Sequence, residues 1–515
     1  MSEHYDVIVI GSGAGGGTIT HALAPTGKKV LLLERGGWYP REKENWNSMS
    51  VWGDLRYRNA GHWVDQNGKE FNPKQHYYVG GNTKVYGAVL FRLRERDFEN
   101  VFHVDGVSPE WPLKYTDFEQ WYTKAEHLYH VHGERGVDPL DPPGPAYAYP
   151  AMSHEARIEE LAHDLKGAGL TPFALPLGIM IDEQRPELSP CIRCATCDGF
   201  ACLVKAKADA QVVCVEPALR YSNVTLRTNS RVTRLETSPD GRSVSRVVID
   251  HDGEREEYMA DVVVLSAGAI NSAALLLSSA NDQHPEGLGN SSGVVGRNLM
   301  LHNNSSLIAI SRIPNPTIFE KTLGVNDYYY GDNEWGYPLG AMQMLGRSDA
   351  FTISLDAPDA KDPADLAAHA LDFWLTTEDL PRKQNRVQVE PSGRLKLSYE
   401  PSNLEAHKRL IAKFRNLLDT MQCKDEVIDR STYLGGRLGI SGVAHQNGTV
   451  RLGTDSATSA LDLNCKMHDL DNLYVVDSSF FCSSSAVNPT LTIIANALRV
   501  ADHLTDRLGA KEVGQ

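Results

Sequence analysis

The sequence has few basic residues for its length and no run of them. Its 515 residues include 51 Lys and Arg against 66 Asp and Glu, which gives a formal net charge of −15. Nucleic acids and anionic membrane surfaces are bound by clusters of Lys and Arg side chains. The charge balance therefore argues against nucleic acid and against a membrane surface as general partners.

The sequence also has no pattern that predicts a membrane span or a signal peptide. The longest uncharged apolar stretch, residues 262–280, is interrupted by Ser266 and Gly268. We interpret it as a buried strand, a glycine turn and a helix. The N-terminus carries Glu3 and Asp6, where a signal peptide would need basic residues. We therefore predict a cytoplasmic protein without a membrane span.

Cysteine is scarce but unevenly distributed. Eight cysteines are too few for a disulfide scaffold in a chain of this length. Five of them lie between Cys191 and Cys214, and the first four have the spacing Cys191-x2-Cys194-x2-Cys197-x4-Cys202. This spacing differs from the ferredoxin pattern C-x2-C-x2-C-x3-C-P. It leaves four interpretations open: structural or reactive thiols, an Fe–S cluster, a zinc site, or a disulfide.

A dinucleotide-binding pattern opens the chain. The β-branched run at residues 6–10 predicts a buried parallel strand. It leads into the segment Gly11–Gly16, which fits G-x-G-x-x-G, and then into a predicted helix at residues 17–24. A second predicted strand at residues 30–33 ends at Glu34.

Each part of this pattern has a role in holding a dinucleotide. Gly11 permits a tight turn, Gly13 lets the backbone approach a pyrophosphate, and Gly16 lets the helix pack closely on the strand. The helix N-terminus offers free N–H groups to the phosphates. The Glu34 carboxylate would accept hydrogen bonds from the adenosine ribose and disfavours the 2′-phosphate of NADP. FAD and NAD are both compatible with this motif alone.

A second pattern lies near the C-terminus. Residues 444–449 read AHQNGT, and residues 472–477 predict a strand that ends in an acid. A loop follows, and a helix is predicted to end near residue 507. Pro489 suits its first turn, and Asn488 lies near its cap. The N-terminus of this helix would again offer N–H groups to a bound anion.

Together with two further blocks, these motifs resemble the glucose–methanol–choline (GMC) oxidoreductases, which are FAD enzymes. The further blocks are HYYVGGNTKVYGAVLFR at residues 76–92 and VVVLSAGAINSAALLL at residues 262–277. The Asn-Pro-Thr sequence at residues 488–490 is similar to the branch with pyranose oxidases, cholesterol oxidases and bacterial sugar oxidases. The moderate length and the Cys191 block most resemble the bacterial pyranose and C-glycoside 3-oxidases.

The resemblance implies an α/β fold in which a Rossmann-like FAD-binding domain is interleaved with an α+β substrate domain built on an antiparallel sheet. It assigns residues 1–35, 205–300 and 440–515 to the FAD-binding domain, and residues 36–204 and 301–439 to the substrate domain with lid-like loops.

The resemblance also implies a reaction. A secondary hydroxyl of a pyranose sugar or glycoside would be oxidised to a ketone, with hydride passing to flavin N5. His445 would be the base, because an imidazole titrates near working pH. Asn488 would hydrogen-bond the same hydroxyl, and oxygen or a quinone would take the electrons. The alternative is a sugar or alcohol dehydrogenase subunit that passes electrons through a cysteine-bound Fe–S cluster to an acceptor other than oxygen.

The same resemblance implies cofactor contacts and no metal ligand. Val232 would meet the adenine through its backbone, and Asp477 would lie by the pyrophosphate or ribityl chain. In fungal pyranose oxidases a His shortly after the glycine pair attaches FAD covalently, whereas residues 83–86 here contain no His, so we predict noncovalent FAD. The full predicted set is Gly11, Ser12, Gly13, Ala14, Gly16, Glu34, Arg35, Gly80, Gly81, Asn82, Thr83, Val232, Ala267, Gly268, Asp477, Pro489 and Thr490.

The rest of the chain gives weaker patterns. Residues 36–75 hold four of the eight tryptophans without a regular period, which is typical of a lid or of an apolar cover. Short strand-like runs between residues 301 and 400, including residues 385–389, predict the antiparallel substrate sheet, from which Gln343 would contact sugar. Residues 356–380 are predicted to be a loop-rich mobile cover.

Overall fold

The computed structural model describes residues 3–59, 61–73, 75–430 and 445–510. Two large sheets dominate it. The first has seven strands in the order β11-β2-β1-β14-β13-β12, with β22 beside β14. Its strands are β1 (Glu3–Ile10), β2 (Val30–Leu33), β11 (Val224–Arg227), β12 (Ser230–Thr237), β13 (Val244–His251), β14 (Glu254–Leu265) and β22 (Leu473–Val475).

The centre of the first sheet is parallel, as the predicted strand at residues 6–10 requires. β1 pairs in parallel with β2 and β14, and β14 pairs in parallel with β22. Val7 to Ile10 are buried, because helices cover both faces of such a sheet. The carboxyl ends of β1, β2, β14 and β22 therefore meet at one edge, which is where open α/β sheets bind ligands.

The second large sheet is antiparallel and has six strands in the order β21-β15-β18-β17-β16-β9. Helix α8 (Leu404–Asn416) packs on it, and the rings of Phe373 and Phe414 lie 4.9 Å apart. The strands are β9 (Phe173–Ala174), β15 (His302–Ser311), β16 (Leu323–Val325), β17 (Ala341–Met344), β18 (Ala370–Glu378) and β21 (Cys423–Asp429).

Two expectations about this region are wrong. Residues 356–380 are not a loop-rich cover, because they contain helix α7 (Pro363–His369) and the interior strand β18. Leu371, Phe373 and Leu375 alternate along β18 and are buried, which is the period of a strand. The run at residues 385–389 joins a separate four-stranded sheet, made of β19 (Arg386–Val389), β20 (Leu395–Ser398), β3 (Trp63–Asp65) and β4 (Glu70–Phe71).

The remaining elements cover these sheets. In the described part of the chain, no helix is both long enough and apolar enough to cross a membrane. The other helices are α1 (Ala14–Leu23), α2 (Tyr115–Leu128), α3 (Ala156–Gly167), α4 (Glu216–Ala218), α5 (Ala269–Ser278), α6 (Ala350–Asp356) and α9 (Thr490–Arg507), and the short strands are β5 (Val101–His103), β6 (Gly106–Ser108), β7 (Val131–Gly133), β8 (Tyr149–Pro150) and β10 (Leu177–Gly178).

Candidate functional site

A cavity of about 770 Å³ lies where the carboxyl edge of the seven-stranded sheet faces strands β17 and β18 of the antiparallel sheet. Its volume falls within the range of about 300–1,000 Å³ that is typical of small-molecule and cofactor sites. The predicted residues that line it are Gly11, Ser12, Gly13, Ala14, Glu34, Arg35, Gly81, Asn82, Thr83, Val232, Ala267, Gly268, Gln343, His445, Asp477, Asn488, Pro489 and Thr490.

The turn after β1 needs glycine for two different reasons. Gly11 has a φ of +96°, and a Cβ there would lie 2.3 Å from the carbonyl oxygen of Ser266. A Cβ on Gly13 would meet no atom of the described residues within 4 Å. Gly13 is also the N-cap of α1, so the N–H groups of the first turn lie beside an open space. This is the arrangement that receives a phosphate.

Gly16 and Gly80 belong to the predicted cofactor set but lie outside the cavity lining. A Cβ on Gly16 would lie 1.8 Å from the carbonyl oxygen of Gly11, so this glycine permits the close packing of α1 on the turn. Gly80 has a φ of +94°, and its N–H donates to Ser12 Oγ at 3.1 Å. Both residues therefore position the lining instead of forming it.

Glu34 is held in place behind the glycine turn. Its carboxylate accepts from the hydroxyl of Ser12 at 2.6 Å and from the N–H of Gly36 at 2.9 Å. Burial raises the pKa of Glu34, and these hydrogen bonds oppose the shift. The N–H of Ser12 donates a third hydrogen bond at 3.2 Å. A carboxylate has about four acceptor positions, so Glu34 keeps one for a ribose hydroxyl.

The segment after Gly80 is braced internally. The Asn82 side chain donates to Gln75 Oε1 at 2.8 Å and accepts from the N–H of His76 at 3.0 Å. The Thr83 hydroxyl donates to the carbonyl of Gly80 at 2.6 Å. Both residues line the cavity, and Asn82 keeps one N–H and one lone pair of its carboxamide for a bound cofactor.

Asp477 joins the loops at the sheet edge. Its carboxylate accepts from the N–H of Gly268 at 3.0 Å, from the N–H of Ser479 at 2.9 Å, and from the hydroxyls of Ser272 and Ser479. Burial raises the pKa of Asp477, and these donors oppose the shift. The residue therefore fixes the N-terminus of α5 against the turn that follows β22.

His445 faces a second histidine across an antiparallel bridge. Met300 and Asn447 exchange backbone hydrogen bonds of 3.0 and 2.9 Å. This register places His302, at the start of β15, opposite His445. The two Nδ1 atoms are 2.9 Å apart, and His302 Nε2 lies 3.1 Å from the carbonyl oxygen of Ser484.

These contacts assign the protons of both imidazoles. A carbonyl oxygen only accepts, so His302 Nε2 carries a proton and donates to Ser484. In neutral His302 the Nδ1 is then an acceptor, and His445 donates to it from Nδ1. In neutral His445 the proton is therefore on Nδ1, and Nε2 has a free lone pair. Nε2 makes no hydrogen bond within the described residues, and His445 lines the cavity.

Both histidines favour the neutral form. Burial lowers the pKa of His445 well below its usual value, and His302 lowers it further. Burial also lowers the pKa of His302, although the carbonyl of Ser484 and the charge of Glu378 oppose this shift. His445 is half-buried and lines the cavity. The pair therefore presents an unprotonated nitrogen to whatever the cavity holds.

The wall beside His445 is formed by neighbouring strands. Gln343 on β17 pairs in register with Trp374 on β18, so both side chains project from the same face of the sheet. The Trp374 ring lies 6.2 Å from the His445 ring, and both Gln343 and Trp374 line the cavity. Asn488, immediately before α9, also lines it.

Sequence reasoning missed His302, Ser484 and Trp374. His302 is 143 residues from its partner in the chain, and its position alone gives no signal. Trp374 could have been found, because the alternation of Leu371, Phe373 and Leu375 predicts a strand.

The cysteine block carries free thiols. All eight cysteines lie in the described residues and are free, so the structure contains none of the disulfides left open by the sequence. In the same part of the chain, no three His, Cys, Asp or Glu side chains are arranged to hold a metal ion. Burial raises the pKa of Cys191 to about 12, and burial also raises the pKa of Cys197 against the effect of Lys321 and Lys207.

The residues at the sheet edge fit FAD. The open side of Gly13 and the first turn of α1 suit a pyrophosphate, and Glu34 suits the adenosine ribose. The N-terminus of α9, at Pro489 and Thr490, lies at the same cavity and offers a second set of N–H groups. The cavity continues from there to His445, which leaves room for a redox-active ring beside the imidazole.

Comparisons with known proteins agree with this geometry. Two GMC oxidoreductase family models match residues 5–304 and 381–497. The chain is 29% identical to 6'''-hydroxyparomomycin C oxidase of Streptomyces lividus (98% of this chain, 92% of the relative) and 28% identical to paromamine 6'-oxidase of Streptomyces fradiae (96% and 90%). The crystal structure of pyridoxine 4-oxidase from Mesorbium loti has the same fold, with a TM-score of 0.66 at 18% identity over 98% of this chain and 99% of that chain. The chain therefore belongs to the GMC oxidoreductase family, whose members bind FAD and oxidise CH–OH groups.

Proposed function

We propose that this enzyme oxidises a secondary hydroxyl of a neutral pyranose sugar or glycoside to a ketone, with noncovalent FAD as cofactor. The observation that carries the proposal is the free Nε2 of His445 beside Gln343 and Trp374. An unprotonated imidazole is suited to take a hydroxyl proton. An amide next to an aromatic ring is suited to bind a sugar, which has hydroxyl groups and apolar C–H faces.

In this mechanism the protein binds the sugar and removes one proton. Gln343 hydrogen-bonds ring hydroxyls, and the indole of Trp374 packs against a C–H face. The O–H bond of the reacting hydroxyl breaks as its proton moves to His445 Nε2, while Asn488 donates to the developing alkoxide. Bound FAD supplies the acceptor for the hydride that leaves the same carbon, so a C=O bond replaces the C–H and O–H bonds.

The charges around the cavity favour a substrate without an ammonium group on the reacting ring. Among the described residues, three carboxylates line the cavity: Glu34, Asp198 and Asp477. Glu34 and Asp477 have the partners given above, and Asp198 pairs with Lys321 at 3.2 Å. Residues 431–444 contain no acidic residue.

An ammonium group inside the cavity would therefore lose its hydration without gaining a carboxylate of its own, which is costly. Of the four arginines in the lining, Arg394 is paired with Glu390 and Glu70. The other three, Arg35, Arg58 and Arg231, would add repulsion.

Two features support noncovalent attachment of FAD. In the block after the glycine pair, Lys84 is buried and bonded to Asp209 at 2.9 Å. The hydroxyl of Tyr86 donates to the carbonyl of Ala208 at 2.5 Å. The nucleophilic groups of this segment are thus engaged with protein atoms.

Two hypotheses compete about which acceptor takes the electrons from the reduced flavin. In the first, oxygen or a quinone takes the electrons directly. In the second, the dehydrogenase alternative, the thiols of Cys191, Cys194, Cys197 and Cys202 would hold an Fe–S cluster. The spacing of these cysteines in the sequence favours the second hypothesis. The raised pKa of Cys191 favours the first, and so does the arrangement of the described residues, in which no three His, Cys, Asp or Glu side chains come together to hold a metal ion. Iron analysis of the purified protein decides between them.

The cytoplasmic location stays a prediction, which cell fractionation would test.

An anaerobic substrate screen tests the proposed function. The holoenzyme is mixed without oxygen with methyl glucosides, the matching methyl glucosaminides and simple primary alcohols, and loss of the flavin absorption is followed. We expect neutral glycosides to bleach the flavin and to yield a ring ketone by NMR. Bleaching by primary alcohols alone, or faster bleaching by the amino glycosides, would contradict the proposal.

A further inference from the structure

We propose that His302 is a positioning residue that fixes the tautomer and ring orientation of His445 through a relay ending at the carbonyl of Ser484. The inference rests on the proposed function, because it gives the base its lone pair. The relay consists of the Nδ1–Nδ1 contact of 2.9 Å and the Nε2–carbonyl contact of 3.1 Å.

The end of the relay is anchored to the fold. The Ser484 hydroxyl donates to the carbonyl of Asp379 at 2.9 Å. The Asp379 carboxylate accepts from the N–H of Leu301 at 3.0 Å and from the Tyr399 hydroxyl at 2.9 Å. Asp379 therefore ties the Ser484 loop to the residue before His302, so the carbonyl and the imidazole keep their relative positions.

The relay orients the base without adding a negative charge. Glu378 lies opposite His302 in the β15–β18 register. However, its carboxylate is engaged by His103 Nε2 at 3.1 Å, the Ser108 hydroxyl at 2.7 Å and the N–H of Ser485 at 2.9 Å. The direct partner of His302 is thus a neutral carbonyl, which determines which nitrogen carries the proton.

This arrangement has a consequence for proton transfer. If His445 carried its proton on Nε2, it would meet the substrate hydroxyl as a donor and could not act as the base. With Nδ1 protonated, the proton from the substrate O–H bond adds to Nε2, and the Nδ1–H···Nδ1 bond to His302 is kept. The imidazolium that forms retains a buried acceptor, which stabilises its charge.

Two substitutions at His302 separate the directing role from a packing role. His302→Leu removes the acceptor, whereas His302→Asn keeps an amide oxygen near the position of Nδ1. The matched control is His407→Leu. His407 lies on helix α8, is buried against the same sheet between Ser305 Oγ (2.9 Å) and Thr377 Oγ1 (3.0 Å), and does not line the cavity. Each holoenzyme is checked for flavin content and Tm.

We expect His302→Leu to lose about 100-fold in kcat with little change in KM, which lies within the range for general-base catalysis. We expect His302→Asn to stay within about fivefold of the natural enzyme, because its amide can still accept from His445 Nδ1. His407→Leu should change Tm more than kcat. The proposal is overturned if His302→Leu keeps normal kcat, or if His302→Asn loses as much kcat as His302→Leu.

A readout without turnover comes from ¹⁵N-histidine NMR of the natural holoenzyme, with His445→Ala used for assignment. We expect the His445 signals of an imidazole protonated on Nδ1 and bare on Nε2. Protonation on Nε2 overturns the inference even if His445 is the base. Conversely, an active His445→Ala enzyme would refute the assigned base, and a substrate screen in which neutral glycosides fail to bleach the flavin would refute the proposed function, while the spectra still report the tautomer. If His302→Leu fails to fold, the spectra and His302→Asn carry the test.

Discussion

Replacing His445 with alanine tests the proposed base directly. The substitution removes the Nε2 lone pair from the cavity but leaves the glycine turn, Glu34 and the N-terminus of α9 unchanged. We therefore expect the purified variant to stay yellow. Loss of a general base costs about 10²- to 10⁴-fold in rate, or about 2.7–5.4 kcal/mol at 1.36 kcal/mol per tenfold.

The cost to folding should be smaller than the cost to catalysis. His302 loses the donor to its Nδ1, and an unsatisfied buried acceptor costs about 1–3 kcal/mol. Water entering the space left by the ring can replace that donor in part. We therefore expect a modest fall in Tm alongside the large fall in turnover.

Anaerobic stopped-flow reduction of the flavin is the decisive assay, since it isolates the step in which the proton and hydride leave the substrate. His468→Ala is a suitable control, because His468 is half-buried, bonds Ser459 Oγ at 3.0 Å and lies outside the cavity lining. Equal loss of kcat and kcat/KM would mark an interaction made in the transition state. A bleaching rate for His445→Ala close to that of His468→Ala would refute the assignment.

Three further predictions follow from the same geometry. The pKa of His445 lies well below its usual value of about 6.5, and the base works unprotonated. We therefore expect kcat/KM to stay constant as the pH falls through 6.5 and to decrease only in more acidic solution. A decrease that begins at or above pH 6.5 in the pH–rate profile would contradict this. Gly11→Ala should lower the Tm of the apoprotein, because its Cβ would collide with protein atoms. Gly13→Ala should keep that Tm and weaken FAD binding, because its Cβ would enter the open space beside the turn. Equal effects of the two variants on Tm and on flavin content would argue against the assigned phosphate site. Acid precipitation should release all of the flavin into the supernatant; colour retained in the pellet would indicate a covalent link, for which His62 and His76 in the lining are the candidates.

The cofactor side of the site could be predicted from the sequence because its determinants are local. The turn at Gly11, the strand that ends at Glu34 and the helix after Pro489 each depend on residues within a few positions of one another. Backbone sterics and helix capping fix such segments wherever the rest of the chain goes. The predicted helix end near residue 507 agrees with α9, which ends at Arg507.

The substrate side could be predicted only in part, because its determinants are distant in the chain. Gln343 came from a strand-like run, but its neighbour Trp374 lies in a segment that was predicted to be a loop. The position of His302 opposite His445 depends on the bridge between Met300 and Asn447. These two residues are far apart in the sequence, so their contact is determined by tertiary packing and not by local sequence. Residues 386–389 form a strand, but it pairs with β20 in a local hairpin closed by residues 390–394, and this keeps it out of the six-stranded antiparallel sheet.

The position of the base therefore depends on the junction between the two large sheets. His445 follows the substrate region in the chain, and the bridge from Asn447 to Met300 sets its register against β15. Asp379 fixes the other side of the same junction through Leu301 and Ser484. A substitution that loosens this junction, such as Asp379→Asn, should change kcat while the flavin stays bound, because the glycine turn does not depend on it. Binding of the cofactor and alignment of the base are thus separable, which is why a yellow protein with low turnover is the expected result of damage on the substrate side.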